Sequence, residues 1–284
     1  MNLKNCLYRL FKRAALIAAA IALIVTASHS PASAINYYTG GRLPEGFYLN
    51  LYPYWFTADR RTDRNGNVVT DNLGMDKYGV FFSGCYYKGD LLLNVVVPVG
   101  RLEIDAANDS NAGFGDIQLR AGYFLPVKWV TILPAIAVKA PTGAFDKNRK
   151  VNLGDGQTDL LAEVYINKLI DRFSVDWLFK YSRRLYNHDT DIKSGDEFIT
   201  EGLVTYKITD TVRFGPSVAF LIGDDINSHG KTVKESGQLK LSCGGELNYR
   251  GFQKAKLSVA VLKDVYTRNT AEGVLTLGRI TIPF

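Results

Sequence analysis

Residues that carry covalent or metal chemistry are scarce: the 284-residue chain has three cysteines and three histidines. Cys6 falls near the start, and Cys85 and Cys243 fall in segments expected to form different, distant strands, so a disulfide framework is excluded. His188 and His229 lie in polar stretches that read as long loops. No Ser and Asp stand with them as a triad, and a nucleophile needs its base within hydrogen-bond reach. A zinc spacing of Cys and His is absent. Asp63-Arg64-Asn65-Gly66-Asn67 sets oxygen-bearing side chains at alternate positions, yet lacks the sixth-position glycine and the closing glutamate of a calcium loop and reads as a turn on Asn65-Gly66. Gly154-Asp155-Gly156 has no following helix or lysine and reads as a flexible loop. No catalytic residue, metal ligand or cofactor site is expected.

Also lacking is any apolar run of the ~20 residues that a membrane helix needs. The longest uncharged apolar stretch, residues 14–27, is too short. It follows Lys4, Arg9, Lys12 and Arg13 and leads to Ala32-Ser33-Ala34, the plan of a secretory signal peptide cleaved after Ala34. Residues 1–34 are therefore expected to be removed, leaving 35–46 as a short periplasmic segment and 47–284 as the body of the protein. Cys6 precedes the apolar run instead of ending it, so the placement of a lipid-anchored cysteine is missing. The leader carries four basic residues and no acid, so its loss takes the formal charge from +6 to +2. Basic and acidic residues interleave through the remainder, which excludes the clustered cationic footprint of a nucleic-acid binder. A chain without such a helix crosses a membrane only as a closed sheet.

What the chain has in abundance is alternation. From Phe47 onward, about twelve segments of roughly 10 residues set apolar side chains against polar or small ones, the period of a strand with two unlike faces. In 116–125, Ile117, Leu119, Ala121, Tyr123 and Leu125 oppose Asp116, Gln118, Arg120 and Gly122. In 174–183, Val175, Trp177, Phe179 and Tyr181 oppose Asp176, Lys180 and Ser182. Segments 197–208, 238–250 and 254–264 repeat the pattern, whereas 91–99 is apolar on both faces except at Asn94. Pro53, Pro98, Pro134, Pro216 and Pro283 interrupt the segments, and bulges or strand ends are expected there.

The connections alternate short and long. Tight turns at 88–90, 126–128, 168–172, 209–210 and 250–253 interleave with polar stretches at 59–76, 105–113, 143–157, 184–196, 223–237 and 266–272. That asymmetry between two rims marks an outer-membrane barrel, with both termini and the short turns in the periplasm. Aromatic residues at the short-turn ends, including Phe47, Tyr48, Tyr86, Tyr87, Phe124, Trp129, Phe173 and Tyr206, are expected to form a girdle at the headgroups. Tyr54, Trp55 and Tyr181 are expected in an outer belt. The expected fold is an all-β, antiparallel, up-and-down transmembrane barrel of about twelve strands in the bacterial outer membrane, with lipid around it. Ile280, Ile282 and Phe284 alternate at the end of the last segment and resemble the signal read by the barrel assembly machinery.

Charged and polar residues on the inward faces are candidates to line the lumen. They are Asp116, Gln118 and Arg120, then Lys139, Asp159 and Glu163, then Asp176, Lys180, Glu201 and Lys207. Arg213, Lys240, Glu246, Lys256 and Arg279 complete the set. Such residues either line a narrow aqueous path or pair and close it. Residues 35–46 are too few to form an N-terminal plug, which leaves 143–157 as the candidate to fold inward.

Three motifs carry a family resemblance: Gly113-Phe114-Gly115-Asp116 continuing to Tyr123, then Pro141-Thr142-Gly143-Ala144-Phe145-Asp146, then Asn152-Leu153-Gly154-Asp155-Gly156-Gln157-Thr158-Asp159. Together they resemble the outer-membrane family named for the meta-pathway of phenol degradation. The resemblance implies a channel that admits small hydrophobic or aromatic compounds and carries no catalytic residues. Two other readings stay open: a non-conducting barrel whose loops bind a partner or surface, and, third, a barrel-embedded hydrolase.

Overall fold

The computed structural model describes residues 42–252 and 255–284. The expected leader, residues 35–41 and the end of the expected turn at 250–253 lie outside the described residues. Each segment read as alternating contains a strand, giving β1 (Gly46–Thr62), β2 (Val68–Thr70), β3 (Met75–Lys88), β4 (Leu91–Ile104), β5 (Asp109–Phe114), β6 (Gln118–Tyr123) and β7 (Thr131–Lys139). There follow β8 (Asp159–Ile170), β9 (Phe173–Arg184), β10 (Ile192–Lys193), β11 (Glu197–Lys207), β12 (Val212–Gly223), β13 (Ile226–Ser228) and β14 (Lys231–Val233). The series ends with β15 (Leu239–Tyr249), β16 (Lys256–Arg268) and β17 (Ala271–Pro283).

Twelve antiparallel staves build the barrel, with β5 and β6 forming one interrupted stave, because both pair with β4. β17 returns to β1, so the sheet closes and no backbone edge meets lipid. The short β10, β13 and β14 form a separate sheet within two of the long loops.

Burial alternates with the period of two along each stave. In β8, Asp159, Leu161, Glu163, Tyr165 and Asn167 are buried, while Leu160 and Val164 are exposed. Leu119 is 58% exposed and its neighbour Arg120 5%. A polar inside and an apolar outside invert the pattern of a soluble sandwich, and an apolar band around a closed sheet is stable only against lipid.

The same parity corrects the aromatic assignment. Phe47, Trp129, Phe173 and Tyr206 do face outward, but Tyr48, Tyr87, Phe124 and Tyr54 are buried inside. Each of Tyr48, Tyr87 and Tyr54 is next in sequence to a partner expected at the same level, and adjacent strand residues must point to opposite faces.

Three segment boundaries also differ from expectation. Residues 105–113 and 266–272, read as loops, mostly continue the staves: one 3-10 turn at Asp105–Ala107 joins β4 to β5, and β16 meets β17 at Asn269, whose φ is +54°. Beyond the bilayer both faces meet water, so hydrophobic alternation fades while the ladder persists. The segment 116–125 shortens to β6, because the stave breaks at residues 115–117.

The prolines sit where the ladder lacks a partner. Pro98 faces the break between β5 and β6, and Pro53 falls where pairing to β17 skips from Leu51↔Ile280 to Tyr54↔Leu277. Pro216 falls in a similar gap against β11. A missing N–H donor is harmless at such positions.

The wall has one irregularity that positions the site. β6 pairs with β7 and β7 with β8, but β5 has β4 as its strand partner and none on the other edge. Residues 140–158 fill the place between β5 and β8. Ala140 N donates to Ile117 O and Ala144 N to Phe114 O, at 2.9 and 2.8 Å, while Leu185 N donates to Thr158 O at 2.9 Å on the far side.

Candidate functional site

The three family-like motifs, separate in sequence, converge on Asp116. Its Oδ1 accepts Gly143 N and its Oδ2 accepts Asp155 N, both at 2.8 Å. Glycine is required here by close approach. A Cβ on Gly143 would lie 2.7 Å from the carbonyl carbon of Gly115 and 2.8 Å from Gly154 Cα, and one on Gly154 would lie 2.8 Å from the carbonyl carbon of Gly143. Asp116, buried, thus clasps two ends of the 143–157 segment by backbone donors.

Between these ends the segment runs inward. Val151 and Leu153 are buried in one apolar cluster with Phe56, Leu73, Met75, Leu102, Ile104 and neighbouring alanines, at the end of the barrel that carries the long loops. Arg149 and the Asp109 carboxylate tie the outer side of the segment to β5 at 2.8 Å, and Asn111 Nδ2 donates to Val151 O at 3.3 Å. The segment anticipated to fold inward therefore does so, packed by apolar contacts as much as by hydrogen bonds.

Below this segment the charges selected from sequence pair along the inner wall, between neighbouring or next-neighbouring staves. Arg120 donates from Nε and Nη2 to the two oxygens of Glu163, at 2.7 and 3.0 Å, and from Nη1 to Asn94 Oδ1 at 2.6 Å. Lys139 pairs with Asp155 and with Asp159. Asp176 accepts from Tyr165, Asn167 and Ser174. Lys240 pairs with Asp264 at 2.9 Å and stacks over the Phe56 ring. Lys180 lies within electrostatic range of Glu163, Glu201 and Glu197. Gln118 is half-buried on the same face.

Nearer the opposite rim, Lys207 pairs with Asp210 at 2.5 Å, Arg213 reaches Arg172 O at 3.4 Å, and Arg279 donates to Asn248 at 3.4 Å. Glu246 is buried beside Arg279, and Lys256 is half-buried. Ile280 and Ile282 are half-buried on the outer face, and Phe284, 82% exposed, donates its N–H to Phe47 O at 2.9 Å.

Sequence reasoning missed Lys77, Arg184, Glu197 and Asp155 as interior charges. Lys77 is buried on β3, and Arg184 pairs with Glu197 at 2.6 Å. All four sit in or beside stretches read as loops. For Lys77, its alternation with Phe81, Ser83 and Cys85 was the available signal. For Asp155, no strand period exists, and only the folded segment brings it inward.

The sequence profile of the family described as "Putative MetA-pathway of phenol degradation" matches residues 58–279. Among curated proteins none matches. Among solved structures, the chain is similar to the COG4313 outer membrane channel from Pseudomonas putida F1, at 16% identity and a TM-score of 0.78, over 90% of this chain and 100% of that one. It is also similar to the translocator domain of the autotransporter NalP from Neisseria meningitidis, at 7% identity and a TM-score of 0.51, over 86% of this chain and 90% of that one. At such identities the likeness shows the barrel fold.

Proposed function

Because this chain belongs to the family described for the MetA pathway of phenol degradation and folds as an outer-membrane barrel, we propose that it is a gated channel for small hydrophobic or aromatic compounds. The observation that carries this reading is the Asp116 clasp, which holds an apolar plug in an apolar mouth. Moving Val151 and Leu153 out would bare Phe56, Met75, Leu102 and Ile104. That surface suits an apolar solute, which gains from leaving water, and repels a hydrated ion. Beyond it the paired charges line the lumen and leave few unpaired charges to attract bulk electrolyte. Strands are scaffold, the 140–158 segment is the gate, and no residue is assigned to catalysis.

The same paired lumen favours one rival, a barrel that never conducts and acts through its loops. Planar-bilayer recording separates them. The wild-type protein should show brief openings, and removal of residues 144–153 should give a steady unitary conductance. Vesicles holding the protein should take up a labelled aromatic faster than a sugar of similar size. Absence of conductance from both proteins, together with no uptake, would leave the non-conducting reading.

A further inference from the structure

Five neighbouring staves carry a polar, largely cationic row across the periplasmic mouth. Lys207 of β11 is the register partner of Arg213 in β12, and Arg213 that of Asn248 in β15. Asn248 partners Ser258 in β16, which partners Arg279 in β17. Lys256 is two residues nearer the rim on the same face as Ser258. Arg250 lies within electrostatic range of Arg213 and Arg279, and Lys256 within that of Arg250 and Arg279.

Like charges opposed in a ladder are unfavourable, and partial burial adds a desolvation penalty. Barrel closure alone gives no reason to gather them. Lys207 has Asp210 beside it, and the acids facing Arg279 are Asp176 and Glu246. Asp176 already accepts from Tyr165, Asn167 and Ser174. The patch around Arg213, Arg250, Lys256 and Arg279 therefore keeps an excess of positive charge.

Seven staves away from this row, the facing wall is apolar. Tyr48, Tyr87, Phe124, Leu133, Tyr165 and Leu178 form one buried cluster on the stretch from β1 to β9. The two walls meet, because Arg250 lies within electrostatic range of Tyr165.

We infer that the periplasmic mouth is a recognition site for a solute that joins an apolar ring or chain to one carboxylate. The cationic patch takes the carboxylate, in charge-assisted hydrogen bonds, and the aromatic wall takes the apolar part. The inference deepens the channel reading by naming a substrate class, but binding at the mouth is measured apart from passage.

The test is calorimetry on the folded protein in detergent, with benzoate and its neutral counterpart benzyl alcohol as probes. Benzoate should bind more tightly, and added salt should weaken benzoate without moving benzyl alcohol. Arg213→Gln and Lys256→Gln, each checked for the heat-modifiable folded form, should weaken benzoate about tenfold. Equal binding of the two probes, or benzoate binding indifferent to salt in the wild-type protein, overturns the inference, whatever the variants do. Inorganic phosphate displacing benzoate at equal concentration would also overturn it, because the apolar wall would then contribute nothing. Selective benzoate binding by a protein with no conductance and no uptake would support this site while removing the channel reading.

Discussion

Arg120 and Glu163, on β6 and β8 with β7 between them, meet over the inner face of β7 in a two-pronged ion pair at 2.7 and 3.0 Å, and Asn94 of β4 holds the remaining guanidinium edge. Both side chains are almost fully buried. Removing one partner leaves an uncompensated charge, so Glu163→Ala should destabilise the barrel by about 3–5 kcal/mol. The paired change Arg120→Met with Glu163→Leu should cost much less, because it removes both charges together. Urea titrations in lipid vesicles compare the variants, and equal losses would show that the pair is not the local determinant.

Leu119 and Arg120 test the faces of the sheet. Leu119→Arg near the bilayer midplane should destabilise by roughly 2–4 kcal/mol and should not be relieved by any change at Glu163, whereas the loss caused by Arg120→Leu should be largely restored by adding Glu163→Leu. Folding titrations in which Leu119→Arg cost nothing would contradict the observed burial, since a one-residue slip inverts every side chain.

Gly143→Ala places a methyl group 2.7 Å from backbone at Gly115, where no flexible side chain can yield. The clasp on Asp116 should loosen, and single-channel records should show longer open times than wild type. Asp116→Ala should act in the same direction by removing both acceptors. Unchanged gating in both would detach the clasp from channel closure.

The outer tie responds to acid. Arg149 holds the Asp109 carboxyl below its usual range, and the Val151 and Lys150 N–H groups accentuate this. A carboxyl depressed in the folded state contributes fully above its unfolded value of about 4 and loses that contribution as pH falls through the folded value. Hydrogen exchange of the amides at 149–151, corrected for intrinsic rate, should be constant between roughly pH 5 and 8 and accelerate only in stronger acid. Acceleration near neutrality would assign the tie to another group.

Phe284 bonds back to Phe47 where β17 closes on β1. Deleting it should leave the protein degraded or aggregated in the periplasm, because a sheet that fails to close exposes an edge. Normal heat-modifiable protein in the outer membrane would refute the assembly role of this residue.

The period of two, the inverted polarity at Asp116, Gln118 and Arg120, and the rhythm of short and long connections made the barrel legible in sequence. Each is a local property, set by neighbours on one strand, and lipid outside with side chains inside imposes it on every stave. Two things were not legible for the same reason. Tyr48, Tyr87 and Phe124 looked like headgroup anchors, since composition gives depth along a strand and only the settled register gives the face. Arg184 looked like a loop residue, since strands that rise above the bilayer lose the apolar mark of alternation, and Asp155 lies on no strand at all, so that only the fold of its segment turns it inward.

What the sequence determined by itself is the closed β-barrel and the residue types of its two faces, because a chain without a membrane helix has no other way to satisfy its backbone in lipid. Only the tertiary structure decided that Gly143 and Asp155 meet Asp116, that Val151 and Leu153 pack against Phe56 and Leu102, and that Arg213 stands in one row with Arg279. Those contacts join residues far apart in the chain. Their energies depend on packing and register between staves, which no local pattern encodes.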